Sequence, residues 1–409
     1  MTMSDRLNKN EQLIGLAYLM RMATSGADLG PLGTALIARA GADPRTADAY
    51  ALMDLSTVLQ LRGNRELALE MQFQAVSLQQ VYSVPSRDTQ PACIRLLAVM
   101  GPGDLMANSP LELLLEELDV ELNLVYVTPE LDLPLDLPPH DVLFIAVAES
   151  RQNLPLLEKI RQAVEHWPCP VLNRPERIAR LARDQNSVLL SGISGVEMPG
   201  TLIINREALQ RITEGALLMS CVLGDGDFPV IVRPVDSHAG KGLERLDDAA
   251  ALGGYLDLMA QDEFYVSRFV DYRSADGQYR KYRIVLIEGA PYVCHMGISD
   301  HWMIHYLNAG MAESAEKRAE EARFMAQFDD EFALRHREAF RAINERAGLD
   351  YLGVDCAETA EGRLLIFEID SCMIVHAIDP VDVFPYKQPQ MRKVFAAFRR
   401  MLLHAAGKN

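Results

Sequence analysis

The chain has 409 residues, of which 49% are apolar and 24% charged, and a formal net charge of −17. At about 150 residues per domain that is two to four globular domains, too apolar for a disordered chain. The acidic excess argues against general binding to nucleic acid or anionic membranes, because phosphate backbones select basic surfaces, but leaves room for a small anionic ligand held by local positive charge. Residues 1–11 are polar, with no apolar stretch behind them to act as a signal peptide. The longest apolar runs, 141–148 and 216–223, are too short to span a bilayer. Six scattered cysteines without a C-x-x-C pair read as reduced thiols, and the whole points to a cytoplasmic protein.

From residue 11 to about 82 the pattern is helical. Leu13, Ile14, Leu16, Ala17 and Met20 recur at helical spacing. A second helix is expected over 31–40, where Pro31 in the first turn needs no backbone donor. Helices over 47–61 and 66–79 flank a break at Gly63. Leu52, Leu55, Leu59, Gly63, Ala68 and Ala75 fall where a tetratricopeptide helix–turn–helix places its packing residues. Gly63 would end one helix, and the small alanines would let the next approach closely. Only one copy is visible, whereas stacked repeats need about three. A tetratricopeptide-like unit that docks a protein or peptide and a helical cap packed on its own protein both stay open.

Residues 83–91 are polar, contain proline, and form the first linker. Buried strands are expected at 93–100, 121–127, 141–148 and 170–173, with helices at 110–118 and 154–166. That order implies a parallel, helix-covered sheet. Gly101-Pro102-Gly103 after the first strand lacks the G-x-G-x-x-G spacing of a dinucleotide loop and reads as a turn.

The chemistry is concentrated after residue 173. A helix over 177–190 leads through Gly192-Ile193 to a strand at 201–204. The stretch 228–243 is a strand ending at Arg233-Pro234, then a loop of small residues carrying Lys241 between Gly240 and Gly242. Such a loop can fold over polyphosphate, with glycines allowing close backbone approach and lysine supplying charge. A strand at 263–270, a hairpin at 282–288 and 291–295, and a second hairpin ending in Glu368-Ile369-Asp370 follow. Glu368 and Asp370 share one strand face, and Asp355 on a neighbouring strand could complete an oxygen cage for Mg²⁺.

In order and spacing, residues 93 to about 379 resemble the ATP-grasp superfamily, the carboxylate–amine ligases that include glutathione synthetase, D-alanine–D-alanine ligase and the ribosomal-protein glutamate ligases. The motifs are Gly192-Ile193 through Pro199-Gly200-Thr201, the strand–cation–proline–glycine loop, the hinge strand, and the terminal Asp…Glu-x-Asp set. The resemblance implies a mixed α/β (α+β) chain: a helical head (1–88), a small α/β domain (89–190), a small lobe (191–266) and a large lobe (267–409). It implies ATP and Mg²⁺ (or Mn²⁺) as cofactors, carboxylate and amine substrates of small-molecule or peptide type, and a homo-oligomer. By the same resemblance Arg233, His238, Gly240, Lys241 and Gly242 would bind phosphates. Ser267, Arg268, Phe269 and Val270 would form the adenine hinge. Arg233, Lys241 and Arg283 would offset charge in transfer, and Asp355, Glu368 and Asp370 would hold metal.

Three positions depart from the family pattern. Arg233 stands for the usual lysine before proline, Asp184-Gln185 for an Asp-Lys pair, and Asp370 for the final asparagine. Arginine keeps charge but is not interchangeable with lysine, and Arg183 could replace the charge absent at Gln185. These departures keep a second reading in play, a nucleotide-binding scaffold without turnover. His295, His301, His305 and Asn308 are candidates for the substrate pocket; His301 and His305 would face one way on a helix, and zinc is an alternative without a completing ligand. The helix over 312–328, rich in Glu, Arg and Ala, reads as a solvated face.

Overall fold

The computed structural model describes residues 12–41, 43, 45–85, 92–116, 118–224, 226–235, 237 and 240–408. Among its described residues the head holds four helices, Leu16–Thr24, Gly30–Ala40, Ala49–Leu61 and Arg65–Leu78. Gly63 takes a left-handed φ of 80° between the last two, and Ala68 and Ala75 are fully buried. The helical pattern read to about residue 82 ends at Leu78. Instead β1 (Val81–Ser83) adds an antiparallel edge to the next sheet, with Tyr82 buried between Tyr50 and Tyr126. Of the expected linker, residues 86–91 lie outside the described residues.

β2 (Ile94–Met100), β3 (Val120–Tyr126), β4 (Val142–Ile145) and β5 (Val171–Leu172) pair in parallel in the order β1-β3-β2-β4-β5. Their near-continuous apolar runs reflect helices on both faces. The expected helix over 110–118 is one short turn, Leu111–Leu115. One core joins the head, one face of this sheet and the C-terminal helix Lys387–Ala405 through Leu52, Val58, Phe144, Phe398 and Met401. The head thus shares its core with the rest of the chain.

The expected helix over 177–190 is broken into Pro175–Ile178 and Arg183–Leu189. β6 (Val196–Glu197) precedes an antiparallel sheet of β7 (Thr201–Asn205), β8 (Val230–Pro234), β9 (Glu244–Leu246) and β10 (Glu263–Arg268), in the order β7-β10-β8-β9. Helices Arg206–Thr213 and Ala249–Leu258 cover it, and it keeps a separate core around Leu209, Val232, Leu252 and Phe264. The last sheet runs β12-β11-β13-β14-β6, from β11 (Tyr279–Ile287), β12 (Ala290–Ser299), β13 (Tyr351–Glu358) and β14 (Leu364–Asp370). The β11–β12 turn is tight because Glu288 and Gly289 both take positive φ, at 49° and 79°.

Candidate functional site

The site grows from strand register. Arg283 pairs with His295 on one side and with Asp355 on the other, and Asp355 pairs with Glu368. These four residues form one row across β12, β11, β13 and β14. Asp370, two residues past Glu368 and opposite Gly353, stands on the same face. The ladders slip beside Arg283 and beside Asp355, bulges of the kind that re-aim side chains next to active sites.

Asp355 is 1% exposed and carries three charge-assisted bonds. Arg283 Nε donates to Oδ1 at 2.8 Å and Nη2 to Oδ2 at 2.9 Å, while Lys281 Nζ stands 2.7 Å from Oδ2. Burial alone would raise its pKa, but the Arg283 and Lys281 charges hold the carboxyl well below the usual range. Arg283 also donates through Nη1 to Ile374 O, fixing the chain after β14. Lys281 was not read from the sequence; its signal was the alternation Lys281-x-Arg283 on one strand face.

Glu368 is paired with Arg183 from the helix Arg183–Leu189. Against its burial, Arg183 and Arg233 keep it ionised below the ordinary range. Gln185 is exposed, so Arg183 does carry the charge into the site at this helix start. Asp370 differs: Cys372 N donates to it at 3.0 Å, and among the described residues no cation lies within ion-pair distance. Burial and the neighbouring Glu368 push its pKa up to about 6.

Across the cleft, Arg233 on β8 is 7% exposed. Among the described residues its guanidinium donates to the Ser237 hydroxyl, at 3.0 Å, and to the Ser237 carbonyl. No acid pairs with it among the described residues. Burial and the charge of Arg183 lower its pKa to about 10. It is a desolvated cation without an ion pair among the described residues.

Lys241 is exposed on the loop after β8, and Gly242 takes a φ of 67° with a would-be Cβ 2.9 Å from Pro234. His238 lies outside the described residues. In the hinge, Ser267 sits between Thr201 and Ile231 in the central strand, and Phe269 N donates to Pro229 O at 2.9 Å. The Arg268 side chain is drawn to Glu197, 2.7 Å away, which also holds Arg363 at 2.6 Å. Phe269 and Val270 follow past the end of β10.

The histidines separate. The 301–305 stretch is not helical; only Tyr306–Asn308 forms a 3₁₀ turn, so His301 and His305 do not share a helix face. His301 is exposed beside Asp300. The His295 ring lies tilted against Tyr306, at 4.6 Å between ring centroids, and is kept neutral by burial and by Arg283. Asn308 is exposed and caps the backbone N–H of His305 at 3.0 Å. Glu321, on the helix Ala315–Gln327 expected to be solvated throughout, is 0% exposed. It accepts from Met296 N at 2.9 Å, Tyr306 OH at 2.8 Å and Tyr386 OH at 2.6 Å. Lys387, 3% exposed, lies 3.9 Å from Glu321, 3.1 Å from Asp379 and 3.9 Å above the Tyr306 ring. A charged residue on an acidic helix gave no sequence signal for this network.

The donor chemistry around Glu368 and Asp370 suits a hard divalent cation, since both are carboxylates and Asp370 lacks a positive partner. Asp355 has both oxygens engaged by Arg283 and Lys281. Among the described residues, no three His, Cys, Asp or Glu side chains are gathered as a ready metal cage. No helix among them is long and apolar enough to cross a membrane.

No family model matches the chain, and no curated protein matches it. Among solved structures the chain is similar to a D-alanine–D-alanine ligase from Bacillus anthracis complexed with ATP, at 11% identity and a TM-score of 0.45, over 77% of this chain and 99% of that one. It is similar to the VanG D-Ala:D-Ser ligase from Enterococcus faecalis, at 13% identity and a TM-score of 0.46, over 78% and 100%. It is also similar to a RimK domain ATP-grasp protein from Sphaerobacter thermophilus, at 15% identity and a TM-score of 0.41, over 75% and 99%.

Proposed function

We propose that the chain is an ATP-dependent carboxylate–amine ligase that activates a carboxylate as an acyl phosphate. The observation that carries this reading is Arg233. A guanidinium only 7% exposed, bound among the described residues to Ser237 alone, stands in the electrostatic field of Arg183 and Glu368 and completes a polyanion site. Its neighbours Arg183, Lys281 and Arg283 each hold an acid. The four cations exceed the three carboxylates Asp355, Glu368 and Asp370 by one charge.

In the proposed reaction a substrate carboxylate oxygen attacks the γ-phosphorus of ATP and ADP leaves. An amine nitrogen then attacks the acyl carbon, phosphate leaves, and an amide forms. Arg233 and Lys241 bind phosphate oxygens; Arg283 and Arg183, oriented by Asp355 and Glu368, present fixed positive charge where negative charge accumulates. This is positioning and electrostatic stabilisation, with no covalent step by the protein. Glu368 and Asp370 would hold Mg²⁺, which when bound supplies charge neutralisation at the phosphates.

The test is ADP and phosphate release from Mg·ATP with pools of amino acids and peptides, with mass spectrometry for a product one amide bond larger. ADP formation that depends on both an acid and an amine supports the ligase. ATP binding without turnover under every pool favours the scaffold reading instead.

A further inference from the structure

The tip of His305 is an unpaired polar atom: Nε2 is buried and has no hydrogen-bond partner among the described residues. A neutral imidazole with its proton on Nε2 offers a donor there. The ring is held neutral by burial and by the charge of Lys281, with Arg283 and Arg233 adding to the effect and Asp355 opposing it.

This Nε2 faces the glycine loop. A Cβ built on Gly240 would lie 2.3 Å from it, and Gly240 takes a φ of 72°. Glycine at 240 is what lets the imidazole tip meet the loop that runs from Arg233 to Lys241. The turn bearing His305 is held from behind, because Tyr306 OH donates to the buried Glu321. The turn thus brings an unsatisfied ring nitrogen to a region that holds Lys281, Arg283 and Arg233 as well as Asp355. Leaving a buried donor unmade costs free energy, so this arrangement is complete only with an acceptor.

We propose that His305 Nε2–H donates to a phosphoryl oxygen of the bound polyphosphate, closing the anion site from the side opposite Arg233. The proposal rests on the nucleotide-binding part of the function above. It assigns His305 to anion recognition as a neutral donor, not to proton transfer.

Binding of AMP-PNP, ADP and tripolyphosphate is measured by calorimetry for the wild-type protein, His305→Ala and His305→Gln. A glutamine places an N–H close to that of Nε2. His305→Ala is expected to weaken AMP-PNP or tripolyphosphate about tenfold or more, the usual scale for a hydrogen bond to a charged group, and His305→Gln to recover most of the loss. Affinity of the wild-type protein should show no rise between pH 8 and pH 6 that His305→Gln lacks. Equal affinity of His305→Ala and wild type for all three probes overturns the proposal. So does a pH-dependent gain confined to the wild type, which would mean an imidazolium. If the wild type binds tripolyphosphate but neither nucleotide, the ligase reading falls while the His305 assignment is decided by the tripolyphosphate series. If it binds none of the three, both fall.

Discussion

Arg283 and Asp355 are register partners on adjacent strands, and their side chains close into a two-bond fork at 2.8 and 2.9 Å on the site face of the sheet. The fork makes Asp355 the anchor of the cationic side of the site, with Lys281 bound to the same carboxylate. Removing one member of a buried, hydrogen-bonded charge set leaves the others uncompensated. Asp355→Asn is therefore expected to lower unfolding free energy by about 3 kcal/mol or more. Glu368→Gln should cost much less, because the Glu368 side chain is 31% exposed and its partner Arg183 can turn to water. Urea unfolding of both variants decides this; equal losses would mean the fork contributes nothing special.

Arg233 should behave in the opposite way. With its pKa lowered to about 10, holding the charged guanidinium in the folded protein costs on the order of 3 kcal/mol at neutral pH. Arg233→Met keeps the stem and removes the charge, so thermal stability should hold or rise while ATP affinity falls by roughly 1–3 kcal/mol. Arg233→Lys, with charge but no fork, should bind between the two. Lys241→Ala, on an exposed loop, is expected to lower kcat with a smaller change in nucleotide Kd. If Arg233→Met binds ATP as tightly as wild type, Arg233 is outside the phosphate site.

The parts legible from sequence were those where pattern and packing agree. The parallel strands read as unbroken apolar runs, and Glu368-Ile369-Asp370 placed two carboxylates on one face by period two alone. Lys281 escaped because its role depends on Asp355, 74 residues away in the chain, meeting β11 across a ladder. Glu321 escaped for the converse reason: its helix is acidic and basic by turns, as a solvated helix is, yet Tyr306 and the adjacent Tyr386 and Lys387 come from two other segments to bury it. The histidine face failed because residues 301–305 leave the helical path, so spacing had no meaning there.

The Glu321 network makes its own prediction. Its carboxylate accepts three bonds and faces a buried ammonium, so Glu321→Gln turns one acceptor into a donor aimed at hydroxyl groups. A loss of about 3 kcal/mol is expected, the scale for breaking a buried charge set. Glu321→Gln with Lys387→Met should lose less than the sum of the single changes, since both ends of one pair are then absent. Strict additivity in a double-mutant cycle would show that the two charges do not interact.

Where the head meets the α/β domain, two carboxyl groups share the start of one helix. Asp54 accepts from Ile14 N at 2.8 Å and from Gly15 N at 3.2 Å, and Glu112 accepts from Leu16 N and Ala17 N. Together they satisfy backbone donors that a helix start leaves open. Burial pushes both pKa values up to about 7, from 3.8 and 4.5 in an unstructured chain, with the charge of Asp54 adding to the effect at Glu112 and that of Asp48 at Asp54. A raised carboxyl pKa means that the folded state keeps a proton which the unfolded state has released. Between about pH 4 and pH 7, stability should therefore fall as pH rises, by up to about 1.4 kcal/mol per pH unit for each group, and then level off. Carboxylates held low by cations, Asp119 and Asp141 among them, act in the opposite sense and at more acid pH, so the total curve mixes both. A difference isolates the pair. Asp54→Asn with Glu112→Gln fixes both groups neutral while keeping an acceptor at each. Urea unfolding at pH 5 and pH 8 should show wild type losing distinctly more stability over that interval than the double variant. An equal loss in both proteins would mean that the two carboxyl groups are ionised in the folded head throughout, and that the helix start is held by two anions.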